Sequence, residues 1–398
     1  MSVSLLNKKK RELEMPILFL ITVIDLVGFG MLFPLLPMFK IKFGLNNIEL
    51  GYIASLFAVA GIFGSIFWGM LSDKFGRRLP LALPLFAVAI VYYFTGRTDS
   101  LIFFIMLRAL AGFFASNFSV AFAATADMST PENRFKNMGI ITSSFGLGFI
   151  IGPSVGGYLA GNSLSLEELS FTLPFDVAGA LNLLAGLLTL TLFKETLSRE
   201  DRKEKNQLNI FGQIKNLFKN GSVRFFTLVM IIFTSIISGV QVFFGVWLNE
   251  SFNFTAQNIG LFWGVAGLMM TIVQLNVARF FTPRKALITG FSIYAIAVIF
   301  LLIAEHLRNV SVVIIAFAVM TIGAAMIMPS INSRLSLEGK KNQQGLLLGI
   351  SQAMGSFGRV IGPNLVGFLF FISHDLAWAT ISVLALIMAL LILKVVKK

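Results

Sequence analysis

Three residues in this sequence carry a charge where charge is costly. Asp25, Arg108 and Arg359 each lie inside a long apolar run. An isolated carboxylate near the middle of a membrane-crossing helix costs about 2.5–3.5 kcal/mol on insertion scales, so it must face a cavity or a partner. A carboxyl so placed can take up and release a proton, and burial and a neighbouring cation act on that proton in opposite senses. Asp25 is therefore read as a proton carrier, with Arg108 as the cation that tunes it. The alternatives are a purely structural Asp25–Arg108 pair, or an Arg108 bonded to backbone carbonyls of the first span. Arg359 either reaches a cavity or braces a neighbouring helix. The remaining candidates to line a cavity are uncharged: Asn182, Gln241, Gln274 and Asn332. A mostly apolar site with few polar groups suits a drug-sized amphipathic ligand. His306 and His374 are expected in short external loops, solvated, with no metal site. No nucleophile–base or metal constellation can be assembled, so neither an enzyme nor a cofactor is expected.

The elements that must position these groups are membrane helices. Of 398 residues, 56% are hydrophobic and only 13% charged, with a mean hydropathy of +0.84. Apolar runs of about 20 residues, each able to cross a hydrocarbon core of about 30 Å, recur from end to end. Without water to satisfy their backbone groups, such runs must be helical. The pattern predicts twelve spans, near 16–38, 47–71, 80–96, 100–127, 136–161, 171–193, 223–248, 256–281, 284–304, 309–336, 343–372 and 375–394. The first follows Lys8, Lys9, Lys10 and Arg11 but is too long for a signal peptide, lacks a small-x-small cleavage site, and is expected to remain.

The net charge of +13 is explained by topology. Of 32 Lys and Arg, Lys40, Lys42, Arg97 and Arg308 fall in external loops, Arg108 and Arg359 within spans, and the rest in segments assigned to the cytoplasm. This asymmetry is the positive-inside rule and places both termini in the cytoplasm, and the expected location is a bacterial inner membrane. No basic domain stands apart, which argues against nucleic acid. With no Cys, disulfides and thiol chemistry are excluded.

One polar stretch divides the chain. Residues 1–193 and 223–398 are each expected to form a six-helix bundle, joined by a linker over 194–222. Within it Ile210, Phe211, Ile214, Leu217 and Phe218 share a helical face, which suits either a helix on the membrane surface or a plain solvated connector. The halves echo each other. Gly112 and Gly323, Asp127 and Glu338, Gly139 and Gly349, and Gly152-Pro153 and Gly362-Pro363 are all spaced by about 210 residues. Parallel six-span repeats place a transport site between them at the midplane.

The strongest local motif is Gly69-Met-Leu-Ser-Asp73-Lys-Phe-Gly76-Arg77-Arg78 between spans two and three. Gly76 allows a tight turn, and Asp73 with the cations can form a latch of ion pairs. Span five reads Gly146-Leu-Gly148, then Gly152-Pro153, then Gly156-Gly157. Glycines 148, 152 and 156 share one face and permit close helix approach, as at a moving interface. Pro153 and Pro363 can each kink their helix.

These strings resemble the major facilitator superfamily. The loop matches its G-x-L-[S/A]-D-[RK]-x-G-[RK]-[RK] pattern. Span one, from Asp25 through Gly28, Gly30 and Pro34 to Pro37, looks like the 12-helix drug/proton antiporters, especially the tetracycline-efflux branch. Leu107-Arg108 to Gly112 is similar to a buried-arginine motif, Gly146–Gly157 to the antiporter motif, and Gln343-Gln344-Gly345 to the tetracycline branch. The resemblance implies an all-α major facilitator fold of 12 helices in two bundles, a first-helix acid in coupling, and an Arg77–Asp127 pair in the latch. Glu338 is the repeat-equivalent of Asp127.

The chain also departs from that branch. Where such relatives have acids in spans three and nine and a histidine in span eight, it has Val91, Tyr294 and Met270. This weakens a tetracycline–metal chelate as cargo. The expected activity is proton-driven export of a small amphipathic compound by alternating access, or carriage of an anionic metabolite or siderophore. Its partners would be that small molecule, protons and the lipid bilayer, with the chain a monomer.

Overall fold

The computed structural model describes residues 3–130, 134–197, 218–338 and 344–395. Among these are twelve helices long and apolar enough to cross a membrane: α1 Glu14–Lys42, α2 Asn47–Phe75, α3 Arg78–Thr95, α4 Leu101–Met128, α5 Asn137–Ala160, α6 Thr172–Thr191, α7 Gly221–Phe252, α8 Ala256–Gln274, α9 Pro283–Leu307, α10 Val310–Leu335, α11 Ala353–Ile372 and α12 His374–Val395. Each predicted span has its helix. Most of the linker face, Ile210 to Leu217, and Gln343 lie outside the described residues.

Local chemistry sets the helix ends. Ser100 caps α4 by accepting from the Phe103 N–H, and Asn220 caps α7 by accepting from Ser222. Between α9 and α10 the chain turns through Arg308 at φ 50°, and the Asn309 side chain accepts from the Ser311 and Val312 N–H groups. Two membrane helices contain tighter turns. In α1 a 3-10 turn covers Phe33–Leu35, where Pro34 interrupts the α pattern. In α4 a 3-10 turn at Ala115–Asn117 separates Leu101–Phe114 from Phe118–Met128.

The chain forms two compact units. One comprises Met1–Met38, Leu56–Leu208 and Thr255–Gly264; the other comprises Phe39–Ser55, Asn209–Phe254 and Val265–Lys398. In the first, α1 packs on α5 and α6, and α3 on α6. In the second, α7 packs on α11, and α9 on α10 and α12. The repeat legible in the glycines thus recurs in the pairings α1–α5 and α7–α11, α3–α6 and α9–α12.

Span five's glycines carry the first pairing. A methyl group at Gly152 would sit 2.6 Å from the Val27 carbonyl oxygen and 2.8 Å from the Gly30 Cα, and one at Gly156 would meet the Met31 backbone. Gly148 faces Leu26 in the same way. Gly157 instead faces α8, at Ala256 and Gly260. The three positions predicted to share a face thus all seat the helix that carries Asp25, while the neighbouring Gly157 seats the start of α8. Pro153 and Pro363 both lie inside continuous helix.

Because backbone, not a flexible side chain, fills the space at Gly152, Gly152→Ala must push α1 away from α5. Overpacking of this kind costs about 1–3 kcal/mol. The thermal unfolding midpoint of the purified protein is expected to fall for Gly152→Ala and to stay put for Gly139→Ala, where a methyl meets nothing within 4 Å. Equal midpoints would contradict the packing argument.

Candidate functional site: a membrane carboxyl and a charged latch

Asp25 lies on α1, 8% exposed. Its polar neighbour is the side chain of Asn117, presented by the 3-10 turn of α4. Arg108, 6% exposed, is on the same helix as Asn117 but places its guanidinium over the Phe57 ring, 4.9 Å from the centroid. Among the described residues Asp25 and Arg108 form no ion pair. The bracing Asp25–Arg108 pair, one of the alternatives, is therefore not formed. The physical reason is helix phase: residues nine apart are two and a half turns apart on an ideal helix of about 3.6 residues per turn, and so lie on opposite faces. Buried Tyr92 on α3 is within electrostatic reach of both charges.

The position of Phe57 under Arg108 follows from close packing of α2 on α4. A methyl at Gly112 would fall 2.8 Å from the Phe57 carbonyl carbon, and Ser116 bridges the helices by donating to the carbonyls of Gly112 and Gly61 at 2.7 and 2.9 Å. Beginning four residues beyond Asp25 on α1 is an aromatic cluster. Phe29 stacks on Phe57 with centroids 5.4 Å apart and meets Phe33 edge-on at 5.3 Å. Phe149 and Trp263 lie 5.3 and 6.2 Å from Phe33.

The other cavity candidates separate by exposure. Asn182 is wholly buried; its Nδ2 donates to the Ala178 carbonyl at 3.0 Å, and Gly28 leaves the room it occupies. It packs α6 against α1 and lines no open surface. Gln241 and Asn332 are half-buried, and Gln274 is exposed. Arg359 is exposed and donates from Nη2 to Ser356 at 2.9 Å.

The loop motif assembles around Arg77, whose side chain is 1% exposed although it bears a full charge. Its Nε donates to Asp127 at 2.7 Å, and its Nη1 to Asp73 at 2.8 Å and to the Ser72 hydroxyl at 2.7 Å. Burial works against the guanidinium charge, but the bonds and fields of Asp127 and Asp73 outweigh it and hold Arg77 above its ordinary pKa. Gly76, at φ 95°, provides the turn that a side chain would strain. Glu195 completes the site: its Oε1 accepts from the Arg77 backbone N–H at 2.8 Å and its Oε2 from that of Arg78 at 3.3 Å. A carboxylate there satisfies the free N–H groups at the start of α3. Glu338, by contrast, accepts from the Asn220 side chain at 3.3 Å, so equivalence in the repeat is not equivalence in chemistry.

The profile of the Major Facilitator Superfamily matches residues 18–363 and, in a second match, 278–398. The chain belongs to this superfamily. Among its relatives, Multidrug resistance protein 1 of Bacillus subtilis (strain 168) is 29% identical over 372 residues, which is 91% of each chain. Tetracycline resistance protein, class B, of Escherichia coli is 27% identical over 366 residues, 89% of this chain and 88% of the relative. Two solved facilitator structures share the fold. A mutant of the nucleoside transporter NupG has a TM-score of 0.77 at 16% identity, covering 96% of this chain and 100% of that one. The human organic anion transporter MFSD10 (TETRAN) has a TM-score of 0.71 at 22% identity, covering 96% and 99%. This facilitator is a multi-pass membrane transporter, and it is not an enzyme.

Three residues that sequence reasoning passed over belong to these sites: Asn117, Tyr92 and Glu195. A polar amide mid-span was the available signal for Asn117, and the first acid of the polar stretch for Glu195. His374 also departs from expectation. It is not simply solvated: its Nδ1 lies 2.7 Å from Glu305 and its Nε2 3.2 Å from Glu250, which also pairs with Lys40. Packing of α12 beside α7 and α9 brings the ring between two carboxylates. His306, on the exposed end of α9, is 3.5 Å from Asp375.

Proposed function

We propose that this facilitator is a proton-coupled antiporter of the bacterial inner membrane that exports a small amphipathic organic compound by alternating access. The observation that carries the reading is Asp25: a carboxyl buried in a spanning helix, beside the neutral side chain of Asn117 and, among the described residues, in no ion pair. A carboxyl with no fixed counter-ion can change its proton without leaving an opposite charge stranded, which a coupling site requires. The aromatic cluster of Phe29, Phe33, Phe57 and Phe149 further along α1 matches the apolar part of a drug-like cargo. The names of its multidrug and tetracycline resistance relatives support export. On this reading the six-span halves, 1–193 and 223–398, rock about the linker 194–222, with both termini in the cytoplasm and the chain acting alone. The Gly69–Arg78 loop with Asp127 latches the cytoplasmic side.

A second reading is favoured by Arg359, whose exposed guanidinium on α11 has a serine hydroxyl as its hydrogen-bond partner. It would suit a carboxylate-bearing metabolite or siderophore. In everted vesicles with an acid interior, the antiport reading expects accumulation of a lipophilic cationic dye, abolished by a protonophore. Dye movement indifferent to the gradient would sink it. Strong competition by an aromatic carboxylate would favour the anionic cargo instead.

A further inference from the structure

We infer that His374 is a proton-operated switch for the bond between Lys40 and Glu250, freeing the end of α1 when charged and pinning it when neutral. This switch lies apart from Asp25, and only the side of the membrane that sets its proton rests on the proposed topology.

The ring sits between two carboxylates. Its Nδ1 lies 2.7 Å from Glu305 Oε1 and its Nε2 3.2 Å from Glu250 Oε2. A neutral imidazole carries one N–H, so both contacts are hydrogen bonds only when the ring is an imidazolium. Glu305 is placed to accept. It takes the Trp247 indole N–H at 2.7 Å and the Ser251 hydroxyl at 2.5 Å, one on each oxygen. Trp247 is wholly buried and meets Trp378 edge-on with centroids 5.2 Å apart, and the Phe370 ring lies 5.2 Å from the imidazole. Packing of α7, α9, α11 and α12 thus fixes the His374–Glu305 contact.

The Glu250 side is different. Glu250 also pairs with Lys40, in the last turn of α1, so among the described residues it has two cations for one charge. Its side chain is 30% exposed and that of Lys40 16%. A carboxylate partly withdrawn from water resists losing its only cation. With His374 charged, Lys40 can leave and Glu250 stays paired. With His374 neutral, the shorter Nδ1–H bond to Glu305 is the one kept, Nε2 has no proton to give, and Glu250 depends on Lys40 alone. The other charged groups at this end are engaged elsewhere. Arg308 donates to the Ser251 carbonyl at 2.8 Å, His306 lies 3.5 Å from Asp375, and Lys42 lies over the Phe43 ring. The last two turns of α11, beside the imidazole, carry no charged residue.

The test is the unfolding midpoint of purified variants at about pH 6 and about pH 10, below and above the ordinary range of histidine ionisation and under that of lysine. Lys40→Met should lower the midpoint little at the acid pH and clearly at the alkaline pH, where Glu250 is left with no cation. In His374→Gln, which keeps a donor but no charge, Lys40→Met should cost the same large drop at both. His306→Gln should leave the parental pattern unchanged. A Lys40→Met drop that ignores pH while His374 is present overturns the switch.

Activity gives a second readout in Asp25→Asn, where dye exchange is freed from the Asp25 proton. In everted vesicles the lumen is the side read as external. Raising lumenal pH alone should slow exchange about two- to fivefold, the range a partly exposed ion pair supports. His374→Gln should hold exchange at the slow level throughout. A lumenal pH response that survives His374→Gln overturns the inference. A response to the outer medium instead, lost in His374→Gln, keeps the switch and overturns the proposed topology.

Discussion

Asp25→Asn is expected to abolish transport driven by a pH gradient, by at least about tenfold, while exchange of labelled for unlabelled dye across the same vesicles persists. The amide is isosteric, and the contacts of α1 with α5 are made by glycines 148, 152 and 156, so they survive; what is lost is the group that changes charge. The membrane cost of an ionisable group, about 2.5–3.5 kcal/mol, disappears with it, so the variant should be no less stable than the parent. That combination separates coupling from folding. A variant that both pumps and exchanges at parental rates would remove Asp25 from the mechanism. One that does neither, yet unfolds at the parental temperature, would place Asp25 in cargo binding.

The second large effect belongs to Arg77. Breaking a buried ion pair by removing one partner costs about 3–5 kcal/mol, because the other charge stays behind unpaired. Arg77→Ala leaves Asp127 with its side chain 16% exposed and without its guanidinium; Asp73, half-exposed, retains water. The expected result is a clear drop in unfolding temperature together with loss of transport. Arg77→Lys should recover part of the stability and little of the activity, since one ammonium cannot span Asp127, Asp73 and Ser72 as the guanidinium fork does. Asp127→Asn combined with Arg77→Ala should restore stability relative to Arg77→Ala alone. If all of these unfold with the parent, Arg77 is an ordinary loop cation.

Much of this was legible in the residues. Apolar runs predicted every spanning helix because backbone satisfaction in lipid leaves few alternatives. The Arg77 ion-pair cluster was legible because most of its parts lie in one ten-residue string and because the family resemblance supplied Asp127, which the structure places at Arg77. What stayed hidden was rotation. Hydropathy fixes how deep Arg108 lies but not which way it points, and α4 turns its arginine toward Phe57 and its asparagine toward Asp25. The nine-residue spacing on the helix does this, and the 3-10 turn at Ala-Ser-Asn, with neither proline nor glycine to announce it, adjusts the angle. Asn182 looked like a cavity residue for the same reason: a polar atom in a span predicts a partner, and here the partner is its own helix backbone. His374 was assigned to water because its carboxylate neighbours are 69 and 124 residues away in sequence.

The bond from Glu195 to the start of α3 has a practical meaning for anyone dividing this protein into two expressed fragments. The seam cannot be placed at the last apolar residue of α6. Leu197 is 4% exposed, and the Glu195 carboxylate holds two peptide groups at the head of α3. A first fragment ending at 193 would leave those groups bare and the Arg77 loop without its floor, whereas one carried past 197 brings its own stopper.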